Sequence, residues 1–239
     1  MQRRRRFGAF LATAGLFLLV GAETVSNASA DTVDVASWLM NETSGSTMFD
    51  SSGNANDGTT YHVMMTGDAG FVFAPEQRSK VVVPDSPTLD PGASTFSFGV
   101  DLQSDHVPAS GTDYDVVRKG IGSTTGGAYK LEIVYAKGQG RAFCLVKDSL
   151  GTSATIKGTA NVTDGQPHTI TCTKTATSLT LRVDALTPRV RTVSTGIGPI
   201  SNASALVIGA KTPTVTGAAG DWYDGTLHDA RISVDATVP

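Results

Sequence analysis

Ser94-Thr95-Phe96-Ser97-Phe98-Gly99-Val100-Asp101-Leu102 alternates apolar with small or polar residues along its length. Successive side chains of a strand point to opposite faces. Phe96, Phe98 and Val100 therefore share one face, and Thr95, Ser97 and Gly99 the other. A strand with one apolar and one polar face belongs to an antiparallel sheet whose inner side packs on a core.

The same short period recurs on both sides of this stretch. Upstream, Val33–Met40, Gly70–Phe73 and Lys80–Val83 read as strands, with Trp38 turned inward; Val81-Val82-Val83 stops at Pro84. Downstream, Asp115–Lys119 leads into a Gly/Ser/Thr loop ending at Gly127. Tyr129–Tyr135 and Arg141–Lys147 form a hairpin across Ala136–Gly140. A strand surrounds Ala154–Ile156. After the Asp164-Gly165-Gln166-Pro167 turn, His168–Lys174 and Ser178–Asp184 make a second hairpin. Ala205–Ala210 is a further strand, Gly217–Gly220 a turn, and Trp222–Ser233 the last strands. No long segment carries apolar residues at helical spacing. Many short strands with regular turns define an all-β sandwich or barrel.

The N-terminus is different. Arg3–Arg6 precede an apolar run from Phe7 to about Ala22, and Ala28-Ser29-Ala30 is a small-x-small cleavage site. This is the layout of a secretory signal peptide over residues 1–30, and the run is short for a membrane span. The expected products are a signal peptide at 1–30 and one domain at 31–239, secreted and not inserted in a membrane after cleavage; a retained anchor is the alternative. The whole chain has a net charge of −3, and loss of Arg3–Arg6 with Glu23 makes the remainder more acidic. That balance argues against nucleic acid as a partner. Cys144 and Cys172 are the only cysteines. In an exported chain they suggest a disulfide between neighbouring strands or stacked sheets; two buried free thiols are the alternative.

Asp50-Ser51-Ser52-Gly53-Asn54-Ala55-Asn56-Asp57-Gly58 is too polar to build a core. Asp50, Ser52, Asn54 and Asn56 alternate as oxygen ligands do in calcium loops. They also suit a polar turn whose side chains bond their own backbone.

The order of segments resembles the laminin-G-like jelly rolls of the concanavalin A-like lectin/glucanase superfamily, in their bacterial exported form. The resemblance rests on Trp38 to Gly58, Val116-Val117-Arg118-Lys119-Gly120, Asp164-Gly165 with His168, Leu181-Arg182-Val183-Asp184, Leu206-Val207-Ile208-Gly209 and Gly225-Thr226-Leu227-His228-Asp229-Ala230-Arg231-Ile232. Pro167, Ala185 and His228 depart from the family's pattern. The resemblance implies a two-sheet antiparallel jelly-roll β-sandwich. It implies a structural calcium ion, held by Asp50, Ser52, Asn54 and Asn56 and closed by Asp229 on the last strand. It also implies a non-catalytic binding module whose partner is a glycan or a cell-surface or matrix component.

For a sugar site, the available aromatic and polar residues are Tyr114 between Asp113 and Asp115, and Trp222 with Tyr223. Adjacent strand residues face opposite ways, so one of the last two rings should be core and the other exposed. The glucanases of the superfamily use a cluster of carboxylates on one strand. Beyond residue 30 the chain has only Glu42, Glu76 and Glu132, and none sits in such a cluster. Asp113-x-Asp115 is the nearest substitute, and an exposed carboxylate pair at a loop edge is its plainer reading. A glycan-active hydrolase or lyase using that pair is the alternative function, and an adhesive surface protein without a small ligand is a third. His168 reads as a turn histidine, and His62 and His106 as isolated loop residues.

Overall fold

The computed structural model describes residues 31–214 and 220–236. The signal peptide expected at 1–30 lies outside the described residues, as does most of the Gly217–Gly220 turn. The described residues form two antiparallel sheets of eight strands each. Sheet I runs in the order β14 (Arg189–Thr192), β13 (Ser178–Val183), β12 (Pro167–Lys174), β7 (Phe96–Gln103), β16 (Gly225–Asp235), β5 (Phe71–Phe73) and β4 (Met64–Met65). β1 (Thr32–Trp38) joins this sheet on β16, beside β5. Sheet II runs β11 (Ser153–Lys157), β10 (Gln139–Lys147), β9 (Ala128–Ala136), β8 (Asp113–Lys119), β15 (Leu206–Ile208), β6 (Lys80–Val83), β3 (Gly58–Tyr61) and β2 (Thr47–Met48).

The alternation in β7 works as its sequence requires. Phe96, Phe98, Val100 and Leu102 are buried between the sheets, and β7 pairs with β12 on one side and β16 on the other. Tyr129 of β9 meets Phe96 and Phe98 from the opposite sheet, with ring centroids 5.3 and 5.2 Å away. Its hydroxyl donates to the Leu89 carbonyl at 3.0 Å, so the ring is buried without an orphaned polar atom. Cys144 of β10 and Cys172 of β12 form a disulfide with Cα atoms 6.0 Å apart. It ties sheet II to sheet I.

Lys119 ends β8 fully buried. Its ammonium donates to Asp85 at 2.7 Å and Asp90 at 2.8 Å, and also to the Asn202 carbonyl. One cation thus pins the connection after β6 to the loop before β15. Such a charge is tolerated only because every direction around it is an acceptor.

Local differences from the expected strands have physical causes. The β9–β10 turn is only Lys137-Gly138, both left-handed at φ 55° and 80°, as in a two-residue type I′ hairpin. The strands therefore run further than their apolar cores. β2, β3, β4 and β14 went unread because they are short and lie towards sheet edges; β14 exposes all four side chains and has no burial pattern to detect. The last strand begins at Gly225 rather than Trp222, because Asp221 is left-handed (φ 49°) and starts a crossing segment instead.

Candidate functional site

β8 and the segment before β16 bring Asp113, Asp115 and Asp221 together on the outer side of sheet II, while Tyr114 and Tyr223 meet on its core side. The backbone N–H of Asp115 donates to the Asp221 carbonyl at 2.8 Å. The carboxylates of Asp113, Asp115 and Asp221 lie within 4.8 Å of one another. Tyr114 and Tyr223 meet edge to face at 6.2 Å.

The centre of this cluster is buried. Asp115 is fully enclosed, not the solvated loop carboxylate of the plainer reading. Its Oδ1 accepts from Arg118 Nε and Nη2, both at 2.8 Å. Arg118 Nη2 also lies 3.7 Å from Glu132, which Lys130 bridges in turn. Lys211 donates to Asp221 at 2.6 Å. Asp113 Oδ1 and Asp115 Oδ2 are buried without a partner. Burial pushes the Asp115 pKa up to about 7, against the pull of Arg118. Burial likewise raises Glu132, and burial with the nearby Asp221 raises Asp113. The arrangement fastens the crossing segment to β8 and β9 by paired charges.

A β-bulge makes this cluster. The register of β8 against β9 slips by one residue between Asp115 and Val117. Plain alternation would put Asp115 and Arg118 on opposite faces; the extra residue puts them on the same one. The bulge hid the pairing of Arg118 with Asp115, while Glu132, Lys130 and Lys211 reach the cluster from outside β8 and were missed because only the fold brings them there. The only sequence trace was the position of Arg118 just before Lys119-Gly120.

Trp222 and Tyr223 do face opposite ways, but both are buried. Tyr223 joins the main core, and Trp222, at 7% exposure, packs with Val207 and Ala210 outside sheet II. The expectation that one ring is exposed is corrected: the crossing segment lies down on the sheet and covers its own tryptophan. Lys80 sits 5.6 Å from the Trp222 ring and 5.7 Å from that of Tyr61.

The Asp50 loop closes on β1. Asp50 Oδ1 accepts from the N–H groups of Ser37 and Ser52, and Oδ2 from the N–H of Asn56 and the hydroxyl of Ser52. Asn54 and Asn56 donate to the Val35 carbonyl, and the Asn56 carbonyl accepts the indole N–H of Trp38 at 2.7 Å. Asp229 lies across β1 from this loop, since Trp38 bridges to Asp50 on one side and pairs with Ala230 on the other. The Asp229 carboxylate is held by Arg231 at 2.8 Å. With both Asp50 oxygens taken by four donors and Asp229 on the far side of β1, the five residues do not fit one shared calcium ion.

His168 is a turn histidine as expected, bonded to Asp184 at 2.8 Å and Asp164 at 3.0 Å. His106 is not isolated: it lies 3.1 Å from Asp224 and 3.3 Å from Asp105.

A polar groove crosses the outer side of sheet I, made of three clefts that share residues. The first, about 410 Å³, includes Gln103, Ser104, His106 and Asp224. The second, about 370 Å³, includes Gln103, Asp101, His168, Asp184 and His228. The third, about 80 Å³, includes Asp101, Gly99, Thr171, Arg231 and Ser233. The floor is low at Gly99, where a Cβ would stand 2.5 Å from the Ile170 carbonyl. His228 reaches the groove at the β16 bulge between Leu227 and Asp229. A cleft of about 180 Å³ beside Arg118 and Lys211 stands apart, and both cations there are already paired.

Solved structures share this architecture. Domain 4 of AbnA, a GH43 extracellular arabinanase from Geobacillus stearothermophilus solved in complex with arabinotriose, superposes with a TM-score of 0.59 at 12% identity, over 85% of this chain and 93% of that one. A structure of botulinum neurotoxin type C, whose cell entry depends on interaction with two ganglioside molecules, gives 0.57 at 12% identity, over 85% of this chain and 46% of that one. The binding domain of botulinum neurotoxin DC in complex with SialylT gives 0.54 at 10% identity, over 85% and 46%. This chain thus spans about half the length of the neurotoxin chains. At these identities the likeness establishes the fold. No curated protein matches at the level of sequence. Residues 75–238 match the laminin-G profile of the concanavalin A-like lectin/glucanases superfamily, and the chain belongs to that family.

Proposed function

We propose that this protein is an exported, non-catalytic module that binds a glycan, free or on a cell surface or matrix. The observation that carries the reading is the open groove over sheet I, edged by hydroxyl, carboxylate, imidazole and amide groups. Sites for sugars use a small number of placed polar groups to fix orientation. A domain of the same fold, matched over 93% of its length, was solved with arabinotriose, which supports the reading by analogy of fold. The Cys144–Cys172 disulfide suits an oxidising compartment outside the cytoplasm.

The enzymatic alternative relies on Asp113 and Asp115. Asp115 is fully buried and held by Arg118, so a polysaccharide cannot reach it without displacing the crossing segment. An immobilised glycan array probed with the intact protein tests the binding reading. Retention of at least one glycan class is expected, with no turnover of a polysaccharide panel. Turnover that Asp113→Asn abolishes would replace binding with catalysis, and an array without a single ligand would remove the glycan altogether.

A further inference from the structure

We infer that the groove over sheet I takes a linear oligosaccharide of three or more linked units, laid lengthwise along β7 rather than held by one terminal sugar; this rests on the glycan-binding reading above. The clefts form one trough. Gln103 borders the first and second, and Asp101 the second and third. Both belong to the outward row of β7, which continues through Gly99 to Ser97. From Gln103 to Ser97 that row spans roughly 20 Å, at about 3.4 Å per residue. A single sugar ring would fill only one part of it.

The trough is also narrow. β12 and β16 flank β7 along this row, with Thr171 and Arg231 opposite Gly99, and Thr173 and Ser233 opposite Ser97. Neighbouring strands lie about 4.8 Å apart, so the flanking strands stand roughly 10 Å from each other across the floor. That width suits one unbranched chain. The lining holds no Trp or Tyr, so no such ring face is offered to capture a single sugar by stacking. Polar groups are spaced along the trough instead. Asp224 and His106 lie at its wide end, Gln103 and Asp101 in the middle, and Thr171 and Ser233 at its narrow end. Each hydrogen bond brings only a modest net gain, so a ligand must reach several of these groups to be retained. The clefts taper from about 410 to about 80 Å³, which gives a short ligand its best fit at the wide end and leaves the narrow end to longer chains.

The test is calorimetric titration of the intact protein with linear xylo-, cello-, manno- and α-1,5-arabino-oligosaccharides of two to six units. In at least one series the affinity should rise about tenfold from the dimer to the tetramer, the gain of one or two added hydrogen bonds. It should level off by the hexamer, when the trough is full. Gln103→Ala, at the junction of the first two clefts, should weaken every length. Thr171→Ala/Ser233→Ala, at the narrow end, should weaken the tetramer about fivefold more than the dimer. A dimer that binds as tightly as the tetramer would overturn the inference, as would a narrow-end variant that weakens both equally. If the array retains a glycan and none of these linear series binds, the lengthwise reading falls and the glycan reading stands. If neither the array nor the series yields a ligand, both fall.

Discussion

Asp115 and His168 give the protein a shared pH response. Unfolded, Asp115 titrates near 3.8; folded, it titrates at about 7. Between those values the native state keeps a proton that the unfolded chain has released, so stability declines as pH rises across that window. At His168, burial opposes charging, but the hydrogen bonds it donates to Asp184 and Asp164 outweigh it and raise the pKa above 6.5. Its contribution is full below 6.5 and lost as pH climbs through the raised value. Asp50 acts the other way. Burial would raise its pKa, but donors from Ser37, Ser52 and Asn56 prevail and lower it, so its contribution disappears only as pH falls below the usual carboxylate range. The melting temperature should therefore be higher at pH 5.5 than at pH 8, and Asp115→Asn should flatten that slope even though it lowers stability overall. A melt indifferent to pH from 5.5 to 8 would contradict the burial of Asp115. Asp50 also separates the two readings of its loop. With four donors on its oxygens, Asp50→Ala should cost about 2 kcal/mol in chemical denaturation. Because those donors already satisfy the carboxylate, EDTA should leave the wild-type melt unchanged; a drop restored by calcium would reinstate the metal.

At the scale of elements, the disulfide and the β8 bulge show two kinds of legibility. Cys144 and Cys172 sit 28 residues apart, and closing a loop of that size in the unfolded state stabilises the fold by about 3.6 kcal/mol. A Cys144→Ser/Cys172→Ser variant should lose about that much and melt lower, while retaining its strand content by circular dichroism. Both cysteines are buried on strands that were legible from their alternation, so a bridge between neighbouring strands or stacked sheets could be expected. The alternation could not say whether the partner lay in the same sheet or across the sandwich. β7, β9, β10, β12 and β13 were readable for the same reason: one face is buried and the other is not. The candidate site was less so. Asp113, Tyr114, Asp115, Trp222 and Tyr223 come close in the fold, but the burial of Asp115, Trp222 and Tyr223 was hidden. A one-residue slip in β8 and a left-handed Asp221 are set by pairing with distant strands, and neither leaves a local pattern. The groove was invisible altogether, because Asp101, Asp224 and Asp184 come from separate strand ends and meet only once β7, β12 and β16 lie side by side.

For the molecule as a whole, each sheet carries a different burden. Sheet II buries its outer charges under the crossing segment, while sheet I leaves a polar channel open along β7. The core between them is continuous, running from Trp38 and Met48 at one end to Leu181 and Val183 at the other. The pairing of β1 with β16 has one more effect. The N–H of Ala236 donates to the carbonyl of Asp31 at 2.7 Å, so the two limits of the sandwich leave it side by side. A short splice there could close the chain into a ring, to be reopened at the exposed Leu150 tip between β10 and β11 with every strand pair retained. The same geometry lets the sandwich sit as an inserted bead in a host polypeptide, entering and leaving through one doorway while the groove over sheet I stays free.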